Sequence, residues 1–372
     1  MGSLGKYVLT FEEADPDDVK LIGGKASSLV LMTRLGLPVP PGIIITTKAC
    51  REYYDKGEKL PEGLMDEVAR GIKYLEEKTG YRLGDPDNPL LVSVRSGAAV
   101  SMPGMMDTVL NVGLNDRTVH GLAKRINNEH GAYDAYRRFL AMFGRIVLGI
   151  PEEEFNKPLE EIKRKYGAKE DPEIPLEGLK ELVEIYKQIY IKRFGKVFDD
   201  PWEQLRLSIE AVFKSWNSPR ARFYREANKI TPDIADCTAT AIVTMVFGNA
   251  DWRSATGVVF SRDPATGENK LYGEYLPYAQ GEDVVAGIRT PKPIEKLKEE
   301  MPEVYEQLYN GVKLIERTKK EVQDVEFTIE KGKLWFLQTR NAKMNPLAVL
   351  KTRVDMYKEG LITKEEAIMG VK

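Results

Sequence analysis

The sequence is poor in cysteine and histidine, and these two shortages disfavour several kinds of site. Its 372 residues contain only two cysteines, Cys50 and Cys237, and two histidines, His120 and His130. The cysteines have no spacing partner, so they predict neither a disulfide framework nor a zinc site, and we expect a reducing cytoplasm. The histidines lie in a helix-like segment without a constellation of carboxylates or cysteines. Histidine-based zinc hydrolysis and a Ser-His-Asp triad are therefore disfavoured.

The chain also lacks a large net charge and long apolar runs. Its formal net charge is −2 although 30% of its residues are charged, so no overall basic surface is expected for nucleic acid. No apolar run approaches the length of a membrane span, and the N-terminus lacks an apolar signal core. We expect neither a nucleic acid nor a membrane partner. The length suffices for two or three domains with ample core.

The hydrophobic pattern predicts strands and helices with a helical insertion. Strands and helices alternate in the first part, helical spacing alone follows between prolines, and strands then resume. The family resemblance given below implies an α+β protein with a first lobe over residues 1–115 and 201–240, a helical insertion over 116–200, a second lobe over 241–345 and the start of a linker over 346–372.

The C-terminal residues carry a helix start. Thr363 and Glu366 have the spacing of a capping box, yet the chain ends at Lys372 barely two turns later without a stop signal. This pattern favours a fragment of a longer polypeptide. A naturally frayed terminus is the alternative.

Two strand-like segments, residues 323–330 and 333–340, carry polar side chains at period two. Asp324 and Glu326 share one face of the first segment, and Gln338 and Arg340 share one face of the second. Carboxylate and amide oxygens suit a divalent cation that bridges phosphate oxygens, and a guanidinium binds phosphate directly. The segments predict a nucleoside triphosphate site. The alternative is a solvated face with ordinary ion pairs.

This prediction requires a particular strand register. Glu326 faces Gln338 if Glu330 faces Leu334, which leaves the three-residue loop 331–333 with a glycine in the left-handed conformation. A two-residue turn at Lys331 and Gly332 is expected to send Gln338 to the other face.

Two segments suggest phosphate binding. Lys25 follows Gly23 and Gly24 at the start of a helix, where backbone N–H groups favour anions, although an exposed lysine at a helix entry has the same pattern. Arg95 ends a strand and precedes a long loop that suits a lid over phosphates. Arg262 adds positive charge, although turn chemistry alone explains its segment.

Together these segments resemble the nucleotide-binding part of the pyruvate, phosphate dikinase family. The similar stretches are residues 23–26, 92–108, 111–116, 136–139, 245–249, 273–276, 279–287, 289–294 and 324–340. The run SGAAVSMPGMMDT at 96–108 is highly specific, and related phosphoenolpyruvate synthases lack its methionine-glycine loop.

The resemblance implies an ATP-grasp fold, two α+β lobes with an inserted helical subdomain. It also implies a partial reaction, in which Mg²⁺, ATP and inorganic phosphate phosphorylate a histidine on a separate swivelling domain, with AMP and pyrophosphate as products. The full-length enzyme, expected to be a homodimer, interconverts pyruvate and phosphoenolpyruvate. No histidine here lies in the family's glycine-rich phosphocarrier motif, so this polypeptide alone is not expected to complete the cycle.

The resemblance assigns roles to individual residues. Lys25, Arg95 and Arg340 are the implied catalytic and phosphate-binding cations, and Glu326 and Gln338 the implied Mg²⁺ ligands. Further implied nucleotide or phosphate contacts are Ser101, Gly104, Thr108, Glu282 and Asp324. Three positions depart from the family pattern: Val243 stands in place of Gln, Ser261 in place of Thr and Asp263 in place of Asn.

Two alternatives stay open from the sequence. One is the nucleotide domain of a phosphoenolpyruvate synthase or a glucan dikinase. The other is a non-catalytic module that senses nucleotide or docks partners through its helical insertion.

Overall fold

The computed structural model describes residues 4–280 and 289–371. It contains helices and two five-stranded antiparallel sheets, so the predicted α+β class is confirmed. The chain forms two compact units. Unit 1 comprises the chain up to Ser27 together with Pro41–Met245, and unit 2 comprises Ser28–Pro40 and the chain from Val246 onward.

The sheet of unit 1 is built from strands that are distant in sequence. Its strands are β1 (Val8–Thr10), β2 (Gly42–Ile45), β3 (Val92–Gly97), β4 (Thr108–Val112) and β5 (Ala239–Thr244). Their order is β1-β2-β5-β3-β4, and every neighbouring pair is antiparallel. All side chains of β5 are buried, which agrees with its central position in the sheet.

Helices of unit 1 cover this sheet and form the predicted helical segment. They are α1 (Val19–Ile22), α2 (Gly24–Arg34, which continues into unit 2 from Ser28), α3 (Thr47–Asp55), α4 (Leu64–Thr79), α5 (Thr118–Ile126), α6 (Glu129–Ile146), α7 (Glu153–Tyr166), α8 (Leu176–Phe194), α9 (Pro201–Ser215) and α10 (Pro219–Ala227). An apolar aromatic stripe predicted from helical spacing lies buried in α6, at Tyr136, Phe139 and Phe143.

Strand β5 belongs to the first sheet, whereas the sequence pattern assigns residues from 241 onward to the second lobe. Its register with β2 and β3 is continuous through Val243. The division between the two units therefore follows Met245. Spacing and propensity identify a strand here but do not identify its partners, because pairing depends on chain segments far away in sequence.

Unit 2 contains the second sheet. Its elements are β6 (Ala255–Phe260), β7 (Tyr272–Pro277), β8 (Lys292–Pro293), α11 (Glu295–Glu300), α12 (Pro302–Lys319), β9 (Gln323–Glu330), β10 (Lys333–Asn341), α13 (Pro346–Lys358) and α14 (Lys364–Met369). The strand order is β10-β9-β6-β7-β8, all antiparallel. Helix α12 packs closely on β10, since a Cβ added at Gly311 would lie 2.4 Å from the ring of Phe336.

The segment predicted as the start of a linker folds as part of unit 2. Met356 of α13 and Ile362 pack in a small buried cluster with Val322, which precedes β9. The predicted cap is present, because the Thr363 side chain accepts a hydrogen bond from the Glu366 amide.

The expectation of unpaired cysteines is wrong. Cys50 in α3 and Cys237, two residues before β5, form a disulfide between positions 187 apart in sequence, and both side chains are buried. Sequence spacing gives no hint of this bond, since the two segments become neighbours only through the packing of α3 against β5. The cysteine content consequently gives no argument for a reducing compartment.

Candidate functional site

The β9–β10 hairpin has a tighter turn than the predicted three-residue loop. Lys331 and Gly332 both have positive φ values, 50° and 79°, and Glu330 pairs with Lys333. This is the two-residue turn typical of antiparallel hairpins, in which both central residues adopt the left-handed conformation. The predicted pairing of Glu330 with Leu334 is therefore wrong.

A bulge nevertheless restores the register that the site requires. Phe336 pairs with Phe327, and the next pair is Gln338 with Glu326, so Leu337 is the extra residue on β10. A bulge shifts all later side chains by one position and therefore changes which face they occupy. The predicted opposition of Glu326 and Gln338 is confirmed, whereas the expectation that a two-residue turn prevents it is wrong.

Arg340 lies across both carboxylates of β9. Its Nε donates to Asp324 Oδ2 at 3.0 Å, and its guanidinium lies 4.0 Å from Glu326 Oε1. The Asp324 side chain is 13% exposed, that of Glu326 is 38% exposed and that of Arg340 is 61% exposed. On this face of the hairpin, the Arg340 guanidinium and the Glu326 carboxylate are therefore accessible to solvent, and the Asp324 carboxylate is more deeply buried.

Asp324 retains an oxygen that has no hydrogen-bond partner in the part of the chain that the structure describes. Its Oδ1 atom is buried and accepts no hydrogen bond from the described residues. An unsatisfied carboxylate oxygen is costly unless a cation or a donor reaches it. The donor set of Asp324, Glu326 and Gln338 consists of oxygen atoms alone, and hard divalent cations prefer such ligands.

The described residues contain no group of three or more His, Cys, Asp or Glu side chains placed to hold a metal ion. Mg²⁺ does not need such a group, because it keeps several waters and binds through one or two protein ligands and substrate phosphates. The opposed pair of Glu326 and Gln338 fits this mode of binding.

Hydrogen bonds between Ser28 and Thr339, two residues that the sequence did not single out, hold β10 beside Arg340. Ser28 Oγ donates to the Thr339 carbonyl at 3.0 Å and accepts from the Thr339 amide at 2.9 Å. The Thr339 hydroxyl donates to Gln323, which is fully buried. The bonds from Ser28 hold the backbone of β10 next to Arg340, and the bond between Thr339 and Gln323 links β10 to the start of β9. No sequence signal indicates them, because Ser28 and Thr339 are 311 residues apart.

In unit 1 the two predicted phosphate-binding segments lie against each other. Gly23 has φ 78°, and a Cβ added there would lie 2.3 Å from the Gly97 carbonyl oxygen. The Gly24 amide donates to the Ala98 carbonyl at 2.9 Å. Gly23 thus permits a backbone contact that a side chain would block. Lys25 follows as the second residue of α2, as predicted.

Arg95 and Thr108 are opposite each other in the register of β3 and β4. Arg95 is half-buried, and its Nε donates to the hydroxyl of Ser93, a residue of the same strand face that the sequence did not single out. The register of β3 and β4 therefore places the Thr108 hydroxyl on the residue opposite Arg95.

The loop between β3 and β4 has an exposed tip and a fixed end. Ser101 and Gly104 are exposed, whereas Met102 is buried. At its end, Asp107 forms an ion pair of 3.1 Å with Arg220 on α10, and burial raises the pKa of the Asp107 carboxyl above its ordinary value. The loop is held at Asp107 while its central polar residues face solvent.

Comparison with known proteins identifies the family. A family described as "Pyruvate phosphate dikinase, AMP/ATP-binding domain" matches residues 19–60 and 56–307. The chain belongs to this family. Pyruvate, phosphate dikinase of Entamoeba histolytica is 53% identical over 371 residues, and that of Clostridium symbiosum is 46% identical over 371 residues. The chloroplastic pyruvate, phosphate dikinase 1 of Arabidopsis thaliana is 50% identical over 372 residues.

These alignments cover 98 to 99% of the chain but 38 to 42% of each relative. The chain therefore spans about two fifths of the length of the pyruvate, phosphate dikinases it matches. The family match ends at residue 307, before β9, so the hairpin is covered by the alignments to whole relatives.

The expectation that Arg262 adds positive charge to a phosphate site is wrong, because Arg262 is buried and ion-paired. It is 1% exposed and forms ion pairs with Glu316 on α12 and Glu359 after α13. Burial acts to lower the pKa of Arg262, but the two carboxylates outweigh it and hold this pKa above its ordinary value. Arg262 is a structural residue of unit 2.

The departures from the family pattern also have structural explanations. The Ser261 hydroxyl is buried and accepts from the Gln323 amide, and Asp263 accepts from the amides of Ala265 and Thr266 in its own turn. Val243 is buried on β5 opposite Ser93, and its side chain offers no hydrogen-bonding group. These contacts direct no oxygen of Ser261 or Asp263 to a phosphate.

Glu282, an implied nucleotide contact of the pyruvate phosphate dikinase family, lies outside the described residues. Within the described ranges, no helix combines the length and the apolar character needed to span a bilayer.

Proposed function

We propose that this chain is the nucleotide-binding part of a pyruvate, phosphate dikinase. In this function it uses Mg²⁺, ATP and inorganic phosphate to phosphorylate a histidine on a separate domain. The β-phosphoryl group of ATP passes to the histidine nitrogen and the γ-phosphoryl group passes to inorganic phosphate. AMP and pyrophosphate are the other products.

One observation carries the proposal. Asp324, Glu326, Gln338 and Arg340 share one face of a hairpin whose register depends on a bulge at Leu337. An ordinary solvated strand face needs neither the bulge nor a buried, unpartnered carboxylate oxygen. Bulges that re-aim side chains are common next to active sites.

Glu326 and Gln338 are the proposed Mg²⁺ ligands, and Asp324 supplies a further oxygen at the same face. A Mg²⁺ ion held by these oxygens would supply charge neutralisation for the phosphates of ATP. Arg340 binds a phosphate oxygen with its exposed guanidinium while Asp324 holds its Nε.

The two units are proposed as the two lobes of an ATP-grasp fold. In unit 1 the proposed phosphate contacts are Lys25, Arg95 and Thr108, with the loop residues Ser101 and Gly104. Three observations within unit 1 support this assignment. These are the contact of the glycine pair with Gly97 and Ala98, the pairing of Arg95 with Thr108, and the exposed tip of the loop.

The reaction asks this chain for positioning and charge neutralisation. Phosphoryl transfer passes through a transition state in which charge spreads over the phosphate oxygens, and cations held in place stabilise it. The nucleophilic histidine belongs to the separate domain. The cations Lys25 and Arg95 in unit 1 and Arg340 in unit 2 therefore suffice for the proposed role.

The test mixes this polypeptide with the separately produced phosphohistidine domain of the Entamoeba histolytica relative. ATP labelled at either the β- or the γ-phosphate, Mg²⁺ and inorganic phosphate are added. With inorganic phosphate present, we expect acid-labile label on the domain's histidine from β-labelled ATP and label from γ-labelled ATP in pyrophosphate. Label on the histidine from γ-labelled ATP alone, with none from β-labelled ATP, contradicts the dikinase assignment.

Arg340→Ala should abolish this transfer, and Arg317→Ala, which removes an exposed arginine from α12, should leave it intact. If wild type binds Mg²⁺ and ATP but transfers nothing, and Arg340→Ala binds equally well, the chain is instead a nucleotide-sensing module.

A further inference from the structure

Thr238, the residue that follows Cys237, contacts the phosphate-binding backbone of unit 1. Its hydroxyl accepts a hydrogen bond from the Gly97 amide at 3.0 Å and donates to the Ala239 carbonyl at 2.7 Å. The side chain is fully buried. Because the hydroxyl uses its donor and an acceptor at once, its orientation is fixed, and it fixes the position of Gly97 in turn.

Gly97, whose position the Thr238 hydroxyl fixes, contacts the glycine pair Gly23 and Gly24 at the start of α2. Its carbonyl oxygen lies where a Cβ at Gly23 would clash, and the Ala98 carbonyl accepts from the Gly24 amide. The backbone of Gly97 and Ala98 therefore packs against the backbone of Gly23 and Gly24. Lys25 is the next residue.

Helix α3 supports this arrangement from two sides. Through Cys50 it is bonded covalently to Cys237, next to Thr238. Through Thr47 it donates a hydrogen bond of 2.8 Å to the Lys20 carbonyl in α1, the helix that ends at Gly23. Helix α3 is therefore connected to the glycine pair in two ways. One connection runs through the disulfide, Thr238 and Gly97, and the other runs through α1.

We infer that Thr238 is a positioning residue for the phosphate-binding segment at Gly23, Gly24 and Lys25, and that the Cys50–Cys237 disulfide holds Thr238 in place. The affinity for nucleotide is thereby coupled to the redox state of the two cysteines. This inference rests on the proposed nucleotide function for its affinity readout, but the contacts themselves do not depend on that function.

The redox step is a thiol–disulfide exchange with a dithiol. A dithiol thiolate attacks one of the two sulfurs, so the Cys50–Cys237 bond breaks and the other cysteine leaves as a thiolate. The second thiolate of the reagent then attacks the mixed disulfide and releases the first cysteine as the dithiol closes to a cyclic disulfide. Two electrons and two protons pass to the protein and give two thiols. Dithiothreitol is the probe, and a thiol count of two per chain verifies complete reduction.

The first experiment compares three variants of the full chain by calorimetric titration with ATP and Mg²⁺. Thr238→Val removes the hydroxyl and keeps the shape, and Thr238→Ser keeps the hydroxyl. Thr240→Val is the matched control, because Thr240 is an equally buried threonine of β5 whose hydroxyl has no hydrogen-bond partner among the described residues. We expect Thr238→Val to weaken binding about fivefold, the ratio that corresponds to one net hydrogen bond.

Thr238→Ser should restore the affinity, and Thr240→Val should match wild type. Equal losses in Thr238→Val and Thr240→Val overturn the positioning role, since they indicate a general effect of altering β5.

The second experiment measures the same affinities after reduction. Wild type and Thr240→Val should both lose affinity on reduction, whereas Thr238→Val should lose little more, because the contact through which the disulfide acts is already absent. Such non-additivity is the signature of two coupled sites. Additive losses from reduction and from Thr238→Val overturn the coupling, as does an affinity that reduction leaves unchanged.

Hydrogen exchange without nucleotide separates this inference from the proposed function. Amide exchange at Gly97 and Gly24 should accelerate in Thr238→Val and in reduced wild type, and not in Thr240→Val. If wild type fails to bind ATP, the proposed function fails, and exchange still decides the positioning role. If ATP binds and exchange at Gly97 is unaffected, only the inference fails.

Discussion

Glu326 and Gln338 are directly opposite each other on β9 and β10, and the extra residue Leu337 makes this pairing compatible with the two-residue turn at Lys331 and Gly332. The buried side chains of β10 alternate through Leu334 and Phe336, but the next buried residue is Thr339. This change of phase turns Gln338 away from the core and towards the carboxylates of β9.

The first prediction concerns metal-dependent binding. Glu326→Gln keeps the shape of the side chain and removes its charge, so we expect the affinity for ATP with Mg²⁺ to fall about tenfold, while binding in excess chelator changes little. Calorimetric titration with and without Mg²⁺ measures both. Thr328→Val, on the same strand face, serves as the control. A loss of equal size in both variants removes Glu326 from the metal site.

The second prediction compares two glycines with the same backbone conformation. Gly23 and Gly36 both have φ 78°, but a Cβ at Gly23 would meet the Gly97 carbonyl, whereas nothing lies within 4 Å at Gly36. Gly36→Ala should cost about 1 kcal/mol, the penalty for a left-handed side chain. Gly23→Ala should cost more and should also weaken ATP binding. Urea unfolding and ATP titration measure these effects, and indistinguishable variants contradict the importance of the Gly97 contact.

The third prediction separates stability from binding at Arg262. Arg262→Met leaves the buried Glu316 with only the 3.5 Å ion pair to Lys313 among the described residues, so we expect a loss of about 3 kcal/mol in the free energy of unfolding with unchanged ATP affinity. The double variant Arg262→Met with Glu316→Met should recover most of that stability. Chemical denaturation and ATP titration test this. A selective loss of ATP affinity with normal stability returns Arg262 to the phosphate site.

The fourth prediction concerns the disulfide and stability. Closing a loop between positions 187 apart restricts the unfolded chain by about 5 kcal/mol in the chain-entropy model, and typical measured values are about 2–4 kcal/mol. Reduction should therefore lower the thermal midpoint of unit 1. Cys50→Ser should have a low midpoint that dithiothreitol does not change further. A reductant-sensitive midpoint in Cys50→Ser shows that the effect is unrelated to this bond.

The fifth prediction concerns acid stability of the helical segment. Burial acts to raise the pKa of Asp171, but Lys163 and Arg137 outweigh it, so this pKa lies below its ordinary value near 3.8. A lowered carboxyl pKa stabilises the folded state at pH values above 3.8, and this stabilisation is lost as the pH falls through the lowered pKa.

The corresponding variant is Asp171→Asn. It should be less stable than wild type at pH 6, and the difference should shrink as the pH falls below about 3.8. Thermal unfolding at several pH values measures this. Glu161→Gln, an exposed carboxylate on α7, is the control and should follow wild type throughout. A constant difference between Asp171→Asn and wild type excludes the proposed linkage.

Local patterns predicted most elements because they need only near neighbours. Alternating and helical spacing identified β9 and α4, the two glycines identified the start of α2, and Thr363 identified the cap of α14. They located Arg95 in a strand, but β3 continues two residues further, to Gly97. The same patterns misplaced β5 and the turn of the hairpin, since a strand's partners and a bulge depend on packing that no short window contains.

The sequence by itself determined the family and the chemical character of the candidate site, because residue types and their order carry both. Only the tertiary structure decided which residues meet. It joined Cys50 to Cys237 and Ser28 to Thr339, buried Arg262 between two carboxylates, and turned Gln338 towards Glu326. The physical reason is that these contacts link segments whose separation along the chain exceeds any local period. Burial of apolar surface and satisfaction of backbone hydrogen bonds over the whole fold set such contacts.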